Sequence, residues 1–184
     1  MATVNSAKKI SIIGCGGSGK STLATRLGTA LGLPVVHLDA YYWNPGWVPT
    51  PRAEWENEVE NLISRESWIM DGNYGSTMDK RLAASDVVIF MDFPRRICLW
   101  RVIERRFRHV GVSRPDMAPG CPERLLDASF FEFLKWIWDY PRVNRRPLLE
   151  KLRDLRPSTT VITLRNPKEV RDFLDGPKST NSLA

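Results

Sequence analysis

The chain has 184 residues, 42% of them hydrophobic, which is enough core for one domain with an insertion and short for two. Its formal net charge is +6, and the whole excess of 27 basic over 21 acidic residues lies in one window, where seven arginines between Arg95 and Arg114 face a single acid, Glu104. Three widely spaced cysteines (Cys15, Cys98 and Cys121) argue against a disulfide framework or a zinc site, and no stretch has the apolar length of a secretory signal or a membrane span, so a cytoplasmic location is expected.

Residues 8–13 form a short apolar run that reads as strand one. Residues 14–21 follow as GCGGSGKS, a match to G-x-x-x-x-G-K-[ST]. In such a loop, glycines let successive backbone N–H groups turn inward onto phosphates. The lysine reaches the β- and γ-phosphates, and the hydroxyl ligates Mg²⁺. Gly14, Gly16, Gly17, Ser18, Gly19, Lys20, Ser21 and Thr22 are therefore assigned to ATP, with Lys20 also catalytic and Ser21 also a Mg²⁺ ligand. Leu23, Leu27 and Leu31 fall at helical spacing after the loop, and Gly32 and Pro34 end that helix. Strand, glycine-rich turn and helix N-terminus together make an anion site.

The alternation continues. Residues 34–38 read as strand two, and Thr50 as N-cap with Pro51 at the first helical position opens an acidic helix to about Ser64. Strands three, four and five are expected at 67–70, 86–91 and 159–164, with a helix from Pro94 to about His109. Residues 166–169 form a capping box before the last helix. Residues 110–122 carry three prolines and two glycines, a long loop directly after the arginine-rich helix, where a lid over phosphates would sit. The expected architecture is α/β, with a parallel sheet covered on both faces. One domain spans 1–175, with an acceptor-side segment at about 39–66 and a lid at about 107–146. A flexible tail is expected at 176–184.

Groups at the carboxyl ends of parallel strands carry the chemistry of such folds. Asp39, Asp71 and Asp92 fall there. Asp71, before Gly72, suits the Mg²⁺ shell; Asp39 suits acceptor binding or a general base; Asp92, two residues before Pro94, suits a helix N-cap. On the helix after Pro94, Arg101, Arg105 and Arg108 form a stripe beside Ile97, Trp100, Ile103 and Phe107. Arg142, Arg145 and Arg146 form a second cluster, of which Arg142 joins Lys20, Asp39 and Arg105 in the expected catalytic set. His37 is expected in core packing and His109 on a solvated face. Trp136 and Trp138 read as helix packing, whereas Trp43 and Trp47 either face an acceptor or pack.

These features resemble the nucleoside-monophosphate-kinase type of P-loop protein. More narrowly, the chain is similar to the adenylate-kinase-related family known as DNA topology modulation proteins (FlaR-related). The resemblance rests on the phosphate loop, His37-Leu38-Asp39, Pro45-Gly46-Trp47, Met70-Asp71-Gly72-Asn73-Tyr74, Asp92-Phe93-Pro94, Arg101 with Arg105-Arg106, and residues 119–124. It implies a three-layer α/β/α P-loop fold with a five-stranded parallel sheet in order 2-3-1-4-5 and an arginine-rich helical lid. ATP and Mg²⁺ are implied as cofactors. Adenylate kinases carry arginines seven and eleven residues after the proline that closes strand four. At those offsets from Pro94 the resemblance implies adenine stacking for Arg101 and phosphate contact for Arg105. Asn166, in the loop 164–167, then borders the adenine.

The pattern departs at Asp71-Gly72-Asn73-Tyr74-Gly75, where adenylate kinases place an arginine that grips the monophosphate. Arg81 is one replacement. Alternatively, Asp39 with Tyr41-Tyr42 is similar to kinases that phosphorylate a hydroxyl. The expected function is phosphoryl transfer from Mg-ATP to a small, nucleotide- or nucleoside-like acceptor. The alternative is a nucleic-acid-binding or regulatory ATPase, consistent with the basic window.

Overall fold

The computed structural model describes residues 2–123 and 128–176; Arg124 of the 119–124 motif and the expected tail from 177 onward lie outside the described residues. The elements run α1 Ala2–Asn5, β1 Lys9–Gly14, α2 Lys20–Leu31, β2 Val35–His37, α3 Leu38–Tyr42, β3 Trp43–Asn44, β4 Val48–Pro49 and α4 Arg52–Ser64. They continue with β5 Trp68–Asp71, α5 Gly75–Ala84, β6 Val87–Met91, α6 Arg95–Arg108, α7 Ala128–Val143, α8 Arg145–Arg153, β7 Thr160–Leu164 and α9 Pro167–Asp175.

The main sheet is parallel with order β2-β5-β1-β6-β7. Counting only its own strands, this is the expected 2-3-1-4-5. Register fixes which side chains meet. Ile12 lies between Asp71 and Ile89, and Ser11 between Met70 and Val88, so alternate rows face opposite layers. Ile10, Ile12 and Ile89 pack with Leu23 and Leu27 of α2 and Ile137 of α7. Ile13, Val88 and Phe90 pack with Leu82 of α5 and Leu148 of α8. Trp68 and Met70 meet Trp55, Val59 and Leu62 of α4. A sheet buried on both faces explains why β5 and β6 are apolar without alternation.

Four details differ from expectation. The end of strand two becomes α3, and the segment that follows folds into the β3–β4 hairpin. Thr50 does not cap α4, which starts at Arg52 after Pro51; instead the Thr50 hydroxyl donates to Tyr42 O at 2.7 Å. Asp92 does not cap α6 either. It takes a two-point ion pair from Arg145 at 2.7 Å, and the chain enters α6 through Pro94. On α6 the apolar arc is divided, with only Ile97 and Ile103 packed against the core. Cys98 and Val102 point inward, while Trp100 and Phe107 are 67% and 64% exposed. The capping box before α9 is present: Asn166 Oδ1 accepts from Glu169 N at 2.9 Å, and Glu169 reaches back to Arg165 N at 2.7 Å.

Candidate functional site

The loop after β1 and the carboxyl ends of β2, β5 and β6 open into one cavity of about 1530 Å³. The phosphate loop forms its floor. Gly17 (φ 79°) and Gly19 (φ 98°) hold left-handed conformations that few side-chain-bearing residues adopt. A Cβ on Gly17 would stand 2.3 Å from Cys98 O, so the loop lies directly against α6. Gly19 precedes α2 with no capping side chain, which leaves first-turn N–H groups directed at the cavity. Ser18 Oγ is buried with no hydrogen-bond partner among the described residues. A curled backbone, an unsatisfied hydroxyl and a positive helix end fit a polyphosphate. Gly14 plays another part: its N–H and C=O are both engaged by Asn73, at 3.1 and 2.8 Å, which ties the loop to the end of β5. Lys20 Nζ donates to Gly14 O and Cys15 O at 3.0 Å. Thr22 also lines the cavity.

Ser21 Oγ donates to Asp71 Oδ2 at 2.8 Å. Among the described residues, no group of three His, Cys, Asp or Glu side chains is placed to cage a metal. A phosphate-borne Mg²⁺ needs no cage. It keeps several waters and takes one or two protein oxygens, a requirement this hydroxyl–carboxylate pair would fit. The other Asp71 oxygen bonds His37 Nδ1 at 2.5 Å, and that hydrogen bond holds the imidazole pKa above its ordinary value. His37 is therefore part of the cavity rather than the core. His109 also lines it, with Nδ1 against Arg105 O at 3.0 Å. Neither position was legible, because each depends on which strand or helix end the cavity uses.

Asp39 enters the cavity from α3. Tyr74 donates its hydroxyl to Asp39 Oδ1 at 2.5 Å. Burial, the largest influence, raises the Asp39 pKa; the Tyr74 hydrogen bond opposes this, Asp71 adds to it, and Lys20 and Arg114 lower it.

The arginine window turns inward. Arg101 donates to Ser18 O at 3.2 Å and lies over the Phe93 ring. Arg105 lines the cavity one turn further on. Its Nε is buried without a partner, and burial, with repulsion from Arg114, pushes its pKa down to about 10. Arg114, 8% exposed, pairs with Asp116 at 3.1 Å and with Glu123 at 3.0 Å, and Glu123 also accepts from Arg106. Arg108 stays outside, 70% exposed, paired with Glu104. The Arg114–Glu123 network went unread because ion pairing across a loop leaves no spacing signal.

Two expected residues lie apart. Arg142 sits on the exposed end of α7 and does not line the cavity. Asn166 spends its side chain on the α9 cap, and Pro167 and Val170 reach the cavity instead. Arg81 is also removed as a phosphate grip. It is fully buried and donates to Gly72 O, Asn73 O and Tyr74 O.

The hairpin and the 110–123 loop meet at the cavity that Asp39 also lines. Trp43 and Trp47 pack against Met117, Ala118 and Cys121. Trp47 Nε1 donates to Pro122 O at 2.9 Å, and Gly46 N donates to Gly120 O at 2.8 Å. Both tryptophans also line the cavity. On α7, Phe133 and Trp136 stack in parallel (5.8 Å, 11°) beside Gly16; Trp136 lines the cavity, while Trp138 is half-exposed under the Arg95 guanidinium.

No family model matches the chain. It is 33% identical over 111 residues to the uncharacterized protein YqaC of Bacillus subtilis (strain 168), a match covering 56% of this chain and 60% of that relative's length. Among solved structures, shikimate kinase from Acinetobacter baumannii in complex with shikimate aligns over 95% of this chain and 92% of its own (17% identity, TM-score 0.57). Shikimate kinase from Bacteroides thetaiotaomicron aligns over 92% and 96% (14% identity, TM-score 0.54). A gluconokinase from Sinorhizobium meliloti 1021 aligns over 91% and 90% (20% identity, TM-score 0.50). The phosphate loop and the strand order agree with these alignments: the chain has the fold of the P-loop kinases.

Proposed function

We propose that this protein transfers the γ-phosphoryl group of Mg-ATP to a hydroxyl of a small molecule. The observation that carries the reading is Asp39, a carboxylate in the same cavity as Lys20 and Arg105, held on one oxygen by Tyr74. A phosphate acceptor needs no base, whereas a hydroxyl does. As the acceptor oxygen bonds to the γ-phosphorus and the bond to the β–γ bridging oxygen breaks, Asp39 takes the hydroxyl proton and ADP leaves. Lys20, Arg105 and the phosphate-loop N–H groups stabilise charge on the transferring phosphoryl. Mg²⁺, which Ser21 and Asp71 would hold, would supply positive charge against the charge that develops on the phosphates. Arg101, Pro167 and Val170, which all line the cavity, are assigned to the base of the nucleotide in this reading. The lid comprises the 110–123 loop and its Arg114–Glu123 network, and excludes water. The Trp43–Trp47 wall suits an acceptor with a flat face, as in a nucleoside-like compound. The fold neighbours that are a shikimate kinase in complex with shikimate and a gluconokinase support a small-molecule acceptor.

Nucleic-acid binding is the weaker reading, because Arg101, Arg105 and Arg114 face the cavity or its ion pairs rather than an open basic surface. Among the described residues no helix is long and apolar enough to cross a membrane.

The test is an ADP-release screen with Mg-ATP against nucleosides, sugars and hydroxy acids, repeated with Asp39→Asn on any acceptor found. We expect kcat to fall roughly 10²–10⁴-fold with little change in ATP affinity. An unchanged kcat in Asp39→Asn would remove the base.

A further inference from the structure

Tyr74 combines three features that ordinary packing does not require. Its backbone is left-handed (φ 36°, ψ 78°) although it carries a bulky side chain. It precedes α5 without supplying a capping side chain. Its hydroxyl meets Asp39 at 2.5 Å, the range of a hydrogen bond to an ionised carboxylate.

Such a conformation is costly for a residue with a bulky side chain and persists only when neighbours over-determine it. Here they do. Arg81 gathers the carbonyls of Gly72, Asn73 and Tyr74 from inside the fold. Asn73 is latched to Gly14 through both the oxygen and the nitrogen of its side-chain amide. The Tyr74 ring is set against Tyr42 at 4.6 Å and Trp55 at 4.9 Å. These contacts fix where the hydroxyl points, and that point is Asp39.

We infer that Tyr74 is a positioning residue for the base: its hydroxyl occupies Asp39 Oδ1 and leaves Oδ2 as the oxygen that receives the acceptor's proton. This deepens the hydroxyl-kinase reading and rests on it. The phenol stays protonated, since burial and the adjacent carboxylate raise its pKa, so it acts only as a donor. Asp39 is faced by Asp71 of β5, His37 of β2, Lys20 of α2, Arg105 of α6 and Arg114 of the 110–123 loop. Tyr74 alone is hydrogen-bonded to it among the interactions described. Losing that bond removes stabilisation of the charged form, so the base ionises at higher pH.

The test compares wild type, Tyr74→Phe, Asp39→Asn and the double variant. Without any acceptor, proton NMR of the wild type should show a downfield, slowly exchanging hydroxyl resonance, absent from Tyr74→Phe. With an acceptor from the ADP-release screen, the acid limb of kcat in Tyr74→Phe should move up by roughly one to two pH units. The loss should therefore be about 10–100-fold on the acid side and largely recovered at high pH, with KM for ATP unchanged. Tyr74→Phe should cost nothing further in the Asp39→Asn background. A purely structural role would lower thermal stability and kcat at every pH, additively with Asp39→Asn; that pattern, or a missing resonance in wild type, overturns the inference. A wild type that shows the resonance yet phosphorylates no hydroxyl compound refutes the kinase reading separately.

Discussion

Substituting Gly17 by alanine tests whether α6 presses on the phosphate loop. A Cβ there would stand 2.3 Å from Cys98 O and 2.8 Å from Val102 Cγ2. Ordinary contact lies near 3.5 Å, so the loop or the helix must yield by roughly 1 Å. The left-handed φ of 79° adds about 1–2 kcal/mol for any residue with a Cβ. Overpacking adds about 1–3 kcal/mol. Together these make about 2–5 kcal/mol, or a Tm lower by about 4–20 °C at this chain length. Gly32→Ala is the matched control, because Gly32 has a similar φ of 65° and nothing within 4 Å of the added Cβ. It should lose only the conformational part, about 1–2 kcal/mol. Scanning calorimetry of both variants isolates the contact. Titration calorimetry with Mg-ATP and the ADP-release assay then read its consequence, a weaker site and a kcat reduced about 10²-fold from a roughly 1 Å misplacement. Equal Tm losses in the two variants, with Mg-ATP affinity undiminished in Gly17→Ala, would refute the reasoning.

Arg105→Ala should lower kcat with modest loss of ATP affinity, and Arg101→Ala should mainly weaken ATP binding; duplex DNA binding whose salt slope falls by about one per arginine removed, with turnover indifferent, would favour the nucleic-acid reading. Arg81→Met should destabilise the fold by about 3–5 kcal/mol, since three buried carbonyls lose their donor; urea denaturation measures it, and a loss under about 1 kcal/mol would contradict the assigned role. His37 is held above its ordinary pKa by Asp71. Wild type should therefore exceed His37→Gln in stability by a margin that is full below about pH 6.5 and fades as pH rises through the raised folded value, and thermal melts across pH check this. A margin that grows with pH would have the wrong sign.

The strand positions, the phosphate loop and the last capping box were legible because each depends on residues close in sequence, whereas the sheet order came only from the resemblance to P-loop kinases. Glycines at 14, 16, 17 and 19 before Lys20 define a loop whatever surrounds it, and runs such as 86–91 announce a strand covered on both faces. The roles of Asp92, Arg81, His37 and Arg142 were not. Asp92 had a cap-like position, but Arg145, 53 residues away, offered two donors. Arg81 had a cation's chemistry, but the turn at 72–74 offered three buried carbonyls. The exposed arc of Trp100 and Phe107 shows the same limit, since periodicity finds faces of α6 but not which one meets the core. Composition and short-range pattern thus determined the architecture and the phosphate end of the site. The proposed acceptor end, from Tyr74 on Asp39 to Arg114 on Glu123, was decided only when distant strand ends and loops converged on one cavity, where burial sets the value of each charge and hydrogen bond.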